Sequence, residues 1–442
     1  MTVLGLFTRL SRVGGRKMDL ALIPNGVQRC SLKAFVPWIF LWLLIVAWGL
    51  LSAFLCLYKG LNQTNMNHYF AFGLWIVFDL SVIALGAGAF FTGFLTYIIG
   101  KEELTAIINA AVVIGFICYS AAIAMLGIDI GQPLRGWFIF WHANVHSMLT
   151  EVSFCITIYL GVLTIEYLPL ILSNRKLNEI REFNIFGGNL HHAVALFAAA
   201  GTFLSFFHQG SLGGMFGVLF ARPFAFRGGF SIWPWTFFLF ILSSIAAGPS
   251  FTLLCVWIAQ KVTGKELVKR SVFTMLAKIS GWLLATYIIL KIVDTITWAY
   301  GVVPRAGLSF MDFYEGSYGV WLIIAEIGIF GIIPAIILIT PQLRERNGLL
   351  ITGALMNITG IVLNRFVFTI QTLAVPVMPF DKFMSYFPTW QEWGIAMGAV
   401  GYGILLFSLS YRYLPLFPQE AELNPVTVLG KAVTDSGVVK RG

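Results

Sequence analysis

Ten long apolar runs, separated by short polar segments, dominate the pattern of hydrophobic and polar positions along the chain. Each run is close to the roughly 20 residues that an α-helix needs to cross a hydrocarbon core about 30 Å thick. The pattern therefore predicts ten transmembrane helices. They cover Phe35–Tyr58, Phe70–Ile99, Leu104–Leu126, Val145–Leu168, Ala193–Phe207, Trp233–Ala259, Val272–Trp298, Tyr318–Ile339, Leu349–Ile370 and Gly394–Tyr413.

The fifth run is short, and a Gly-rich stretch from His208 to Gly229 follows it. Irregular backbone is tolerated at membrane depth where protein or water covers it. The pattern therefore predicts a re-entrant or unwound segment after the fifth helix, with His208 closing the outer end of that helix.

Composition leads to the same class of protein. Hydrophobic residues make up 58% of the 442 residues and charged residues 11%, whereas about a quarter of a soluble globular protein is charged. The predicted fold is all-α: a polytopic membrane bundle over residues 35–417, preceded by a basic lead at 1–34. The polar tail at 418–442 is expected to be mobile or bound to a partner from Glu420 onward.

The basic residues are distributed unevenly between the two sides of the predicted membrane. The N-terminus, the loops on its side and the C-terminus carry 20 Lys and Arg residues, whereas the opposite loops carry six. By the positive-inside rule, both termini are expected to be cytoplasmic. The net charge of +9 thus reports topology, and no nucleic-acid partner is expected.

Ionisable groups inside membrane helices are costly and usually functional, and seven stand out here. With the predicted topology, all seven fall in the outer half of the membrane. Asp79 would lie about 13 Å below the outer end of its helix and Glu151 about 10 Å below it, at about 1.5 Å per residue. The seven are Asp79, Glu151, His208, Lys291, Asp294, Glu326 and Arg365.

A carboxyl group beside a histidine can exchange protons with a quinol oxygen. Reduction of a quinone takes two electrons and two protons, so its site needs such groups near the ring oxygens. We expect Glu151 and His208 to contact a quinone, with Asp79 behind them. A proton-coupled secondary transporter is the alternative, although its substrate site is expected near the midplane of the membrane.

Several of these groups also have plainer explanations. Lys291 and Asp294, at i and i+3, are as readily a structural ion pair as a functional one. Glu166, at the cytoplasmic end of the fourth span, is a snorkelling end group or a proton exit.

A b-type haem would need a histidine pair from different helices, for example His142 with His208. The five cysteines form no C-x-x-C pair, so no iron–sulfur cluster or metal site is expected in this chain.

Five stretches in order resemble the NrfD/PsrC superfamily, and its HybB-like branch in particular. They are Trp75-Ile76-Val77-Phe78-Asp79-Leu80, Asp129-Ile130-Gly131, His142-Ala143-Asn144-Val145 running to Glu151, His208-Gln209-Gly210-Ser211-Leu212-Gly213, and Tyr386-Phe387-Pro388-Thr389-Trp390-Gln391-Glu392. The resemblance extends over nearly the whole chain outside the two tails.

The resemblance implies a ten-span subunit of the bacterial or archaeal cytoplasmic membrane that binds menaquinone or ubiquinone near the periplasmic face and holds no haem or cluster. It implies a periplasmic ferredoxin-like iron–sulfur partner, and through it a catalytic subunit or a multihaem cytochrome c. The quinone-site carboxylate and histidine map to Glu151 and His208. Further candidates for quinone binding are His142, Asn144, Ser147, Gln209 and Ser211. Candidates for a proton path or a buried charge are Asp129, Lys291, Asp294, Glu326, Arg365 and Glu166.

Overall fold

The computed structural model describes residues 19–216, 235–315, 318–376 and 380–425. Ten helices in this part of the chain are long and apolar enough to cross a membrane, as predicted. They are α1 (Leu32–Lys59), α2 (Leu74–Ile98), α3 (Glu102–Asp129), α4 (Met148–Leu172), α5 (Arg181–Phe216), α6 (Trp235–Thr263), α7 (Arg270–Arg305), α8 (Trp321–Ile339), α9 (Asn347–Gln371) and α10 (Trp390–Tyr413).

The helices are packed side by side in one bundle with two ends. We name the end where α1 begins and α10 finishes the terminal face, and the opposite end the distal face. α1 lies at the edge of the bundle, where it packs on α10 through small residues. A Cβ atom on Gly49 would lie 2.7 Å from the Cα atom of Gly398. The remaining surface of α1 is largely exposed, as expected of a helix that faces lipid.

α2 is the most enclosed of the ten helices, and a close crossing with α6 places it there. A Cβ atom on Gly88 would lie 2.4 Å from the carbonyl oxygen of Gly248, and one on Gly248 would lie 2.2 Å from the backbone nitrogen of Gly88. Small residues allow membrane helices to approach closely where no hydrophobic effect drives their association. This contact brings the two halves of the bundle together around α2.

The prediction for the end of the fifth helix was wrong. α5 continues without a break from Arg181 to Phe216, so His208 lies inside the helix and does not close its end. The glycines have another use, because Cβ atoms on Gly210 and Gly213 would collide with the ring of Phe237 and the carbonyl oxygen of Thr236. The absence of side chains at these glycines allows the start of α6 to pack directly against this part of α5.

Some of the predictions concern residues that the structure does not describe. The remainder of the expected unwound segment, 217–229, lies outside the described residues, as do the lead up to residue 18, the basic residues Arg222 and Arg227, and the tail beyond Pro425.

Several helices begin later than their hydropathy predicted, and two of these shifts move candidate site residues. α2 starts at Leu74 and α4 at Met148, four and three residues after the predicted starts. Asp79 is therefore five residues and Glu151 three residues from the helix start, or about 8 Å and about 5 Å along the axis. Both carboxyl groups are closer to the distal end of their helices than the expected 13 and 10 Å.

Segments before α1 and after α10 pack against the terminal face. The carboxylate of Asp19 accepts two hydrogen bonds from Arg412, at 3.0 and 2.7 Å, and one from the Tyr413 hydroxyl at 2.8 Å. The buried carboxylate of Glu420 forms an ion pair with Arg29. Although the tail was expected to be mobile or partner-bound from Glu420 on, its described part is attached to the bundle.

Gly88→Ala should destabilise the bundle by about 1–3 kcal/mol, the usual cost of forcing extra atoms into a packed contact. The measurement is thermal unfolding of the purified protein in detergent. Gly161→Ala is the matched control, because a Cβ atom on Gly161 in α4 meets nothing within 4 Å. Equal melting temperatures for the two variants would contradict the close crossing of α2 and α6.

Asp19→Asn should destabilise the protein by roughly 1–3 kcal/mol, the contribution of hydrogen bonds to charged groups. The hydrogen bonds from Arg412 lower the pKa of the Asp19 carboxyl below its ordinary value of 3.8. Its stabilisation is therefore fully present above about pH 4 and is lost as the pH falls through the lowered pKa. The melting temperatures of wild type and variant should differ by a constant amount between pH 7 and pH 5 and converge below pH 4. A constant difference at all pH values would exclude this role.

Candidate functional site

Two of the residues expected at a quinone site, His208 and Glu151, lie at one level of the bundle. α4 and α5 are antiparallel neighbours, and a Cβ atom on Gly214 would lie 3.4 Å from the sulfur of Met148. His208 is six residues before Gly214, and Glu151 is three residues after Met148. Their levels therefore differ by about three residues, less than one helical turn of about 5.4 Å.

His208 is completely buried, with an exposed fraction of 0%. Its ring lies next to Tyr119 of α3, with 5.9 Å between the ring centroids, and beside the backbone of Val152 in α4. The ring is within hydrogen-bonding reach of the Val152 backbone, but neither ring nitrogen makes a hydrogen bond of ordinary geometry to any described residue. Buried polar atoms are nearly always paired, so this imidazole has the capacity to bind a further polar group.

Tyr119 was not anticipated from the sequence, yet it lies at the centre of this region. Its hydroxyl is 2.9 Å from the Ser205 hydroxyl of α5, and its ring packs edge-on against Tyr159 of α4 at 4.5 Å. It is also within electrostatic range of Asp79. Tyr119 thus brings α3, α4 and α5 together around His208.

Asp79 occupies a neighbouring position nearer to the distal face. The carboxyl group is 2% exposed, and its Oδ1 atom has no hydrogen-bond partner among the described residues. Asp129, at the end of α3, is close enough for the two carboxylates to repel each other. Like His208, Asp79 therefore has bonding capacity that the described chain leaves unused.

Gln209, next to His208 in the chain, links three helices. Its Nε2 atom donates to the carbonyl oxygen of Ile83 in α2 at 2.9 Å, and its Oε1 atom accepts from the Ser244 hydroxyl of α6 at 2.7 Å. Ile83 is one turn along α2 from Asp79, which places Asp79 about 6 Å closer to the distal face than Gln209. Ser211 instead donates to the Phe207 carbonyl of its own helix.

The structure does not bring the remaining quinone-binding candidates to the same position. His142 and Asn144 are exposed on the connection between α3 and α4, where the side chain of Asn144 accepts from the backbone nitrogen of His146 at 3.0 Å. Ser147 is the residue immediately before α4. All three lie at the distal face, close in sequence to Glu151, and the contacts of Asn144 are local.

The buried charges of the second half of the bundle form a cluster of their own. Lys291 of α7 pairs with Glu326 of α8, and Asn364 of α9 donates to the same carboxylate at 2.7 Å. Glu326 lies in a π-helical stretch, Ile324–Ile332, a rare geometry that is frequent at functional sites. Asp294, one turn beyond Lys291, is also buried.

Arg365 completes this cluster. It donates to Asn364 at 2.5 Å and to the Ser243 hydroxyl at 2.9 Å, and its guanidinium lies 3.7 Å from the centre of the Phe240 ring. It also reaches Ser244 at 3.4 Å. Because Ser244 in turn bonds to Gln209, the charged cluster and the surroundings of His208 form one hydrogen-bonded network at one level of the bundle.

Glu166 is separate from this network. It lies 15 residues after Glu151 on α4, about 22 Å along the axis toward the terminal face. It is half-buried there and interacts electrostatically with Tyr97.

A further buried carboxylate, Glu392, entered the sequence reasoning only as part of a motif. It is completely buried at the start of α10, where it accepts from the backbone nitrogens of Asn65 and Thr389 at 3.0 and 2.9 Å and from the Tyr386 hydroxyl. Its spacing from Thr389 is that of a helix capping box. That spacing is a signal from which its structural role could have been predicted.

Comparison with known proteins places the chain among membrane subunits of reductases. Residues 62–376 match the family described as polysulphide reductase, NrfD. The chain is 53% identical to the menaquinone reductase integral membrane subunit of Nitratidesulfovibrio vulgaris Hildenborough, over 92% of this chain and 98% of that protein.

More distant relatives have 25% identity. A selenate reductase subunit of Mesobacillus selenatarsenatis aligns over 85% of this chain and 93% of its own length. The probable Ni/Fe-hydrogenase 2 b-type cytochrome subunit of Escherichia coli K12 aligns over 81% and 86%. The match to the family covers well over half of the chain, and the expected resemblance is therefore confirmed: this protein belongs to the NrfD family.

Proposed function

We propose that this chain is the quinone-reactive membrane subunit of a respiratory redox complex. It would exchange electrons between the menaquinone pool and an extrinsic iron–sulfur subunit. The observation that carries the proposal is the imidazole of His208. It is fully buried and makes no hydrogen bond of ordinary geometry to a described residue, level with the half-buried carboxyl group of Glu151.

The chemistry of these side chains suits a quinone. A quinone has two ring oxygens, and its reduction requires two electrons and two protons. The His208 ring can donate a hydrogen bond to one oxygen, and Glu151, partly accessible at the start of α4, can transfer a proton at the other. Asp79, one to two turns nearer to the distal face, would supply or receive the next proton. The electrons would pass between the quinone and the partner, because these side chains carry only protons.

The substrate class is supported by the relatives. The protein from Nitratidesulfovibrio vulgaris is named a menaquinone reductase subunit, and 53% identity over nearly the full length of both chains favours the same quinone here. Ubiquinone is the alternative. The relatives named as subunits of selenate reductase and hydrogenase indicate that partners differ within the family.

For the topology, we propose that the distal face is periplasmic and both termini are cytoplasmic, in the cytoplasmic membrane of a bacterium or archaeon. The excess of Lys and Arg on the side of the termini supports this orientation. The iron–sulfur partner would then dock on the distal face, to which Glu151, Asp79 and His208 are closest. This short distance favours electron transfer from that side.

We further propose that the cluster of Lys291, Glu326, Asn364 and Arg365 takes part in proton transfer. It is hydrogen-bonded to the surroundings of His208, and buried ionisable groups that face a bundle interior are typical of proton relays. A proton-coupled transporter is less well supported, because Asp79 and Glu151 lie within about 8 Å of the helix ends and not at the midplane.

His208→Ala should weaken the binding of a fluorescent quinol-site inhibitor by at least about tenfold, since the variant removes the hydrogen bond from the buried ring. Glu151→Gln should keep the shape of the side chain and lower quinone-linked turnover by at least about tenfold. Both are measured in the complex isolated from membranes.

The matched controls are His68→Ala, an exposed histidine in a loop at the distal face, and Glu166→Gln, at the other end of α4. Neither should change inhibitor binding. If His208→Ala and Glu151→Gln both bind and turn over normally in an assembled complex, the quinone site lies elsewhere and the proposal fails.

The purified chain should show no reduced-minus-oxidised absorption of a b-type haem, even though one relative is named a b-type cytochrome subunit. His142 is exposed on a loop whereas His208 is enclosed by helices, so the pair is poorly placed to ligate one iron from two sides. A stoichiometric haem signal that disappears in His208→Ala would replace the quinone site with a haem site.

A further inference from the structure

The hydrogen bonds around Arg365 have a defined direction. A guanidinium group can only donate hydrogen bonds, so each group that Arg365 contacts must accept. The Ser243 and Ser244 hydroxyls both accept from it, at 2.9 and 3.4 Å. Each hydroxyl therefore keeps its own proton for a different acceptor.

The two serines differ in where that proton can go. Both lie within 2.9 Å of the Phe240 carbonyl oxygen, one turn back in α6. Only Ser244 has a second acceptor, the Oε1 atom of Gln209 at 2.7 Å. Both side chains are completely buried, and the pair differs in this contact with α5 and in the distance to Arg365, which is shorter for Ser243.

Gln209 is held in one orientation by Ile83 and Ser244, and Tyr119 is a third hydrogen-bonding neighbour of its side chain. Its Oε1 atom accepts from Ser244 and its Nε2 atom donates to the Ile83 carbonyl oxygen at 2.9 Å. If the amide were turned over, its oxygen would face the carbonyl oxygen of Ile83. Both atoms are acceptors, so the hydrogen bond to Ile83 would be lost. The amide thus connects α5 to α2 on one side and to α6 on the other.

We propose that Ser244 and Arg365 are positioning residues for the quinone site, an inference that rests on the function proposed above. His208 and Gln209 are consecutive in α5. Fixing the Gln209 amide between α2 and α6 fixes the rotation of α5 about its axis, which holds the His208 ring against Tyr119. Arg365 also donates to Ser244 from α9, at 3.4 Å, so a side chain in the second half of the bundle contributes to the geometry of a site in the first half.

The test compares Ser244→Ala with Ser243→Ala in the isolated complex. Each change removes one hydroxyl that accepts from Arg365, but only Ser244→Ala removes a hydrogen bond to Gln209. Ser244→Ala should raise the KM for quinol and weaken binding of the quinol-site inhibitor by about tenfold, the factor for one hydrogen bond of ordinary strength. The kcat should stay within about twofold, because no group that exchanges protons is lost. Ser243→Ala should change both constants by less than about twofold.

A second comparison measures inhibitor affinity in Arg365→Lys and in Arg365→Met. Lysine keeps a donor and a charge but lacks the planar fork of arginine, so it should restore part of the inhibitor affinity that Arg365→Met loses. If Ser244→Ala and Ser243→Ala have the same KM and inhibitor affinity, positioning through Gln209 is excluded even when His208→Ala abolishes binding. If His208→Ala and Glu151→Gln both bind the inhibitor and turn over normally, the quinone site itself is wrong, whatever the two serine variants show.

Discussion

A permanently charged guanidinium buried in a membrane bundle constrains everything around it. Arg365 is fully buried, and no water in the hydrocarbon region can satisfy its donors. The chain supplies acceptors from α6 and α9 and the face of the Phe240 ring at 3.7 Å. The acceptor from α9, Asn364, uses its own amide nitrogen on Glu326, and this carboxylate pairs with Lys291. Four helices are held in register as a consequence of one charge.

The same network extends in the other direction to the first half of the bundle. Ser244 accepts from Arg365 and donates to Gln209, which in turn donates to α2. Polar groups along this line are hydrogen-bonded from helix to helix up to Gln209, the neighbour of His208 in the chain. A histidine with unused bonding capacity beside such a network is suited to bind a polar ligand, because the network keeps that side chain in place.

Glycine contacts provide the frame in which these polar groups meet. The crossing of α2 and α6 at Gly88 and Gly248, and the approach of α6 to α5 at Gly210 and Gly213, both depend on the absence of a Cβ atom. Without the second contact, Ser244 could not lie 2.7 Å from Gln209. The close packing of small residues and the buried hydrogen bonds are therefore two parts of one arrangement, since the short helix-to-helix distance makes the side-chain bonds possible.

The ten helices, and the residues worth examining within them, could be predicted from the sequence alone. Hydrophobic length determines a membrane helix because every backbone polar group must be paired inside lipid, and a charge such as Glu326 or Arg365 stands out against an apolar run. Local pattern also led to the expectation that α5 ends at Phe207. The glycines after it looked like breaks in a helix, whereas they are positions where the following helix, α6, packs closely against α5.

Only the tertiary structure decided which polar groups meet. Ser244 is inconspicuous in sequence, because serine hydroxyls in membrane helices often bond to the carbonyl one turn earlier. Tyr119 is inconspicuous because an aromatic side chain does not stand out in an apolar run. Their importance comes from His208 and Gln209 on another helix. In the same way, Lys291 pairs across the helix interface with Glu326. The sequence had pointed only to Asp294 as its partner, because Asp294 lies at i+3 on the same helix. Sequence spacing determines which side chains share a face of one helix, but packing decides which faces of two helices meet.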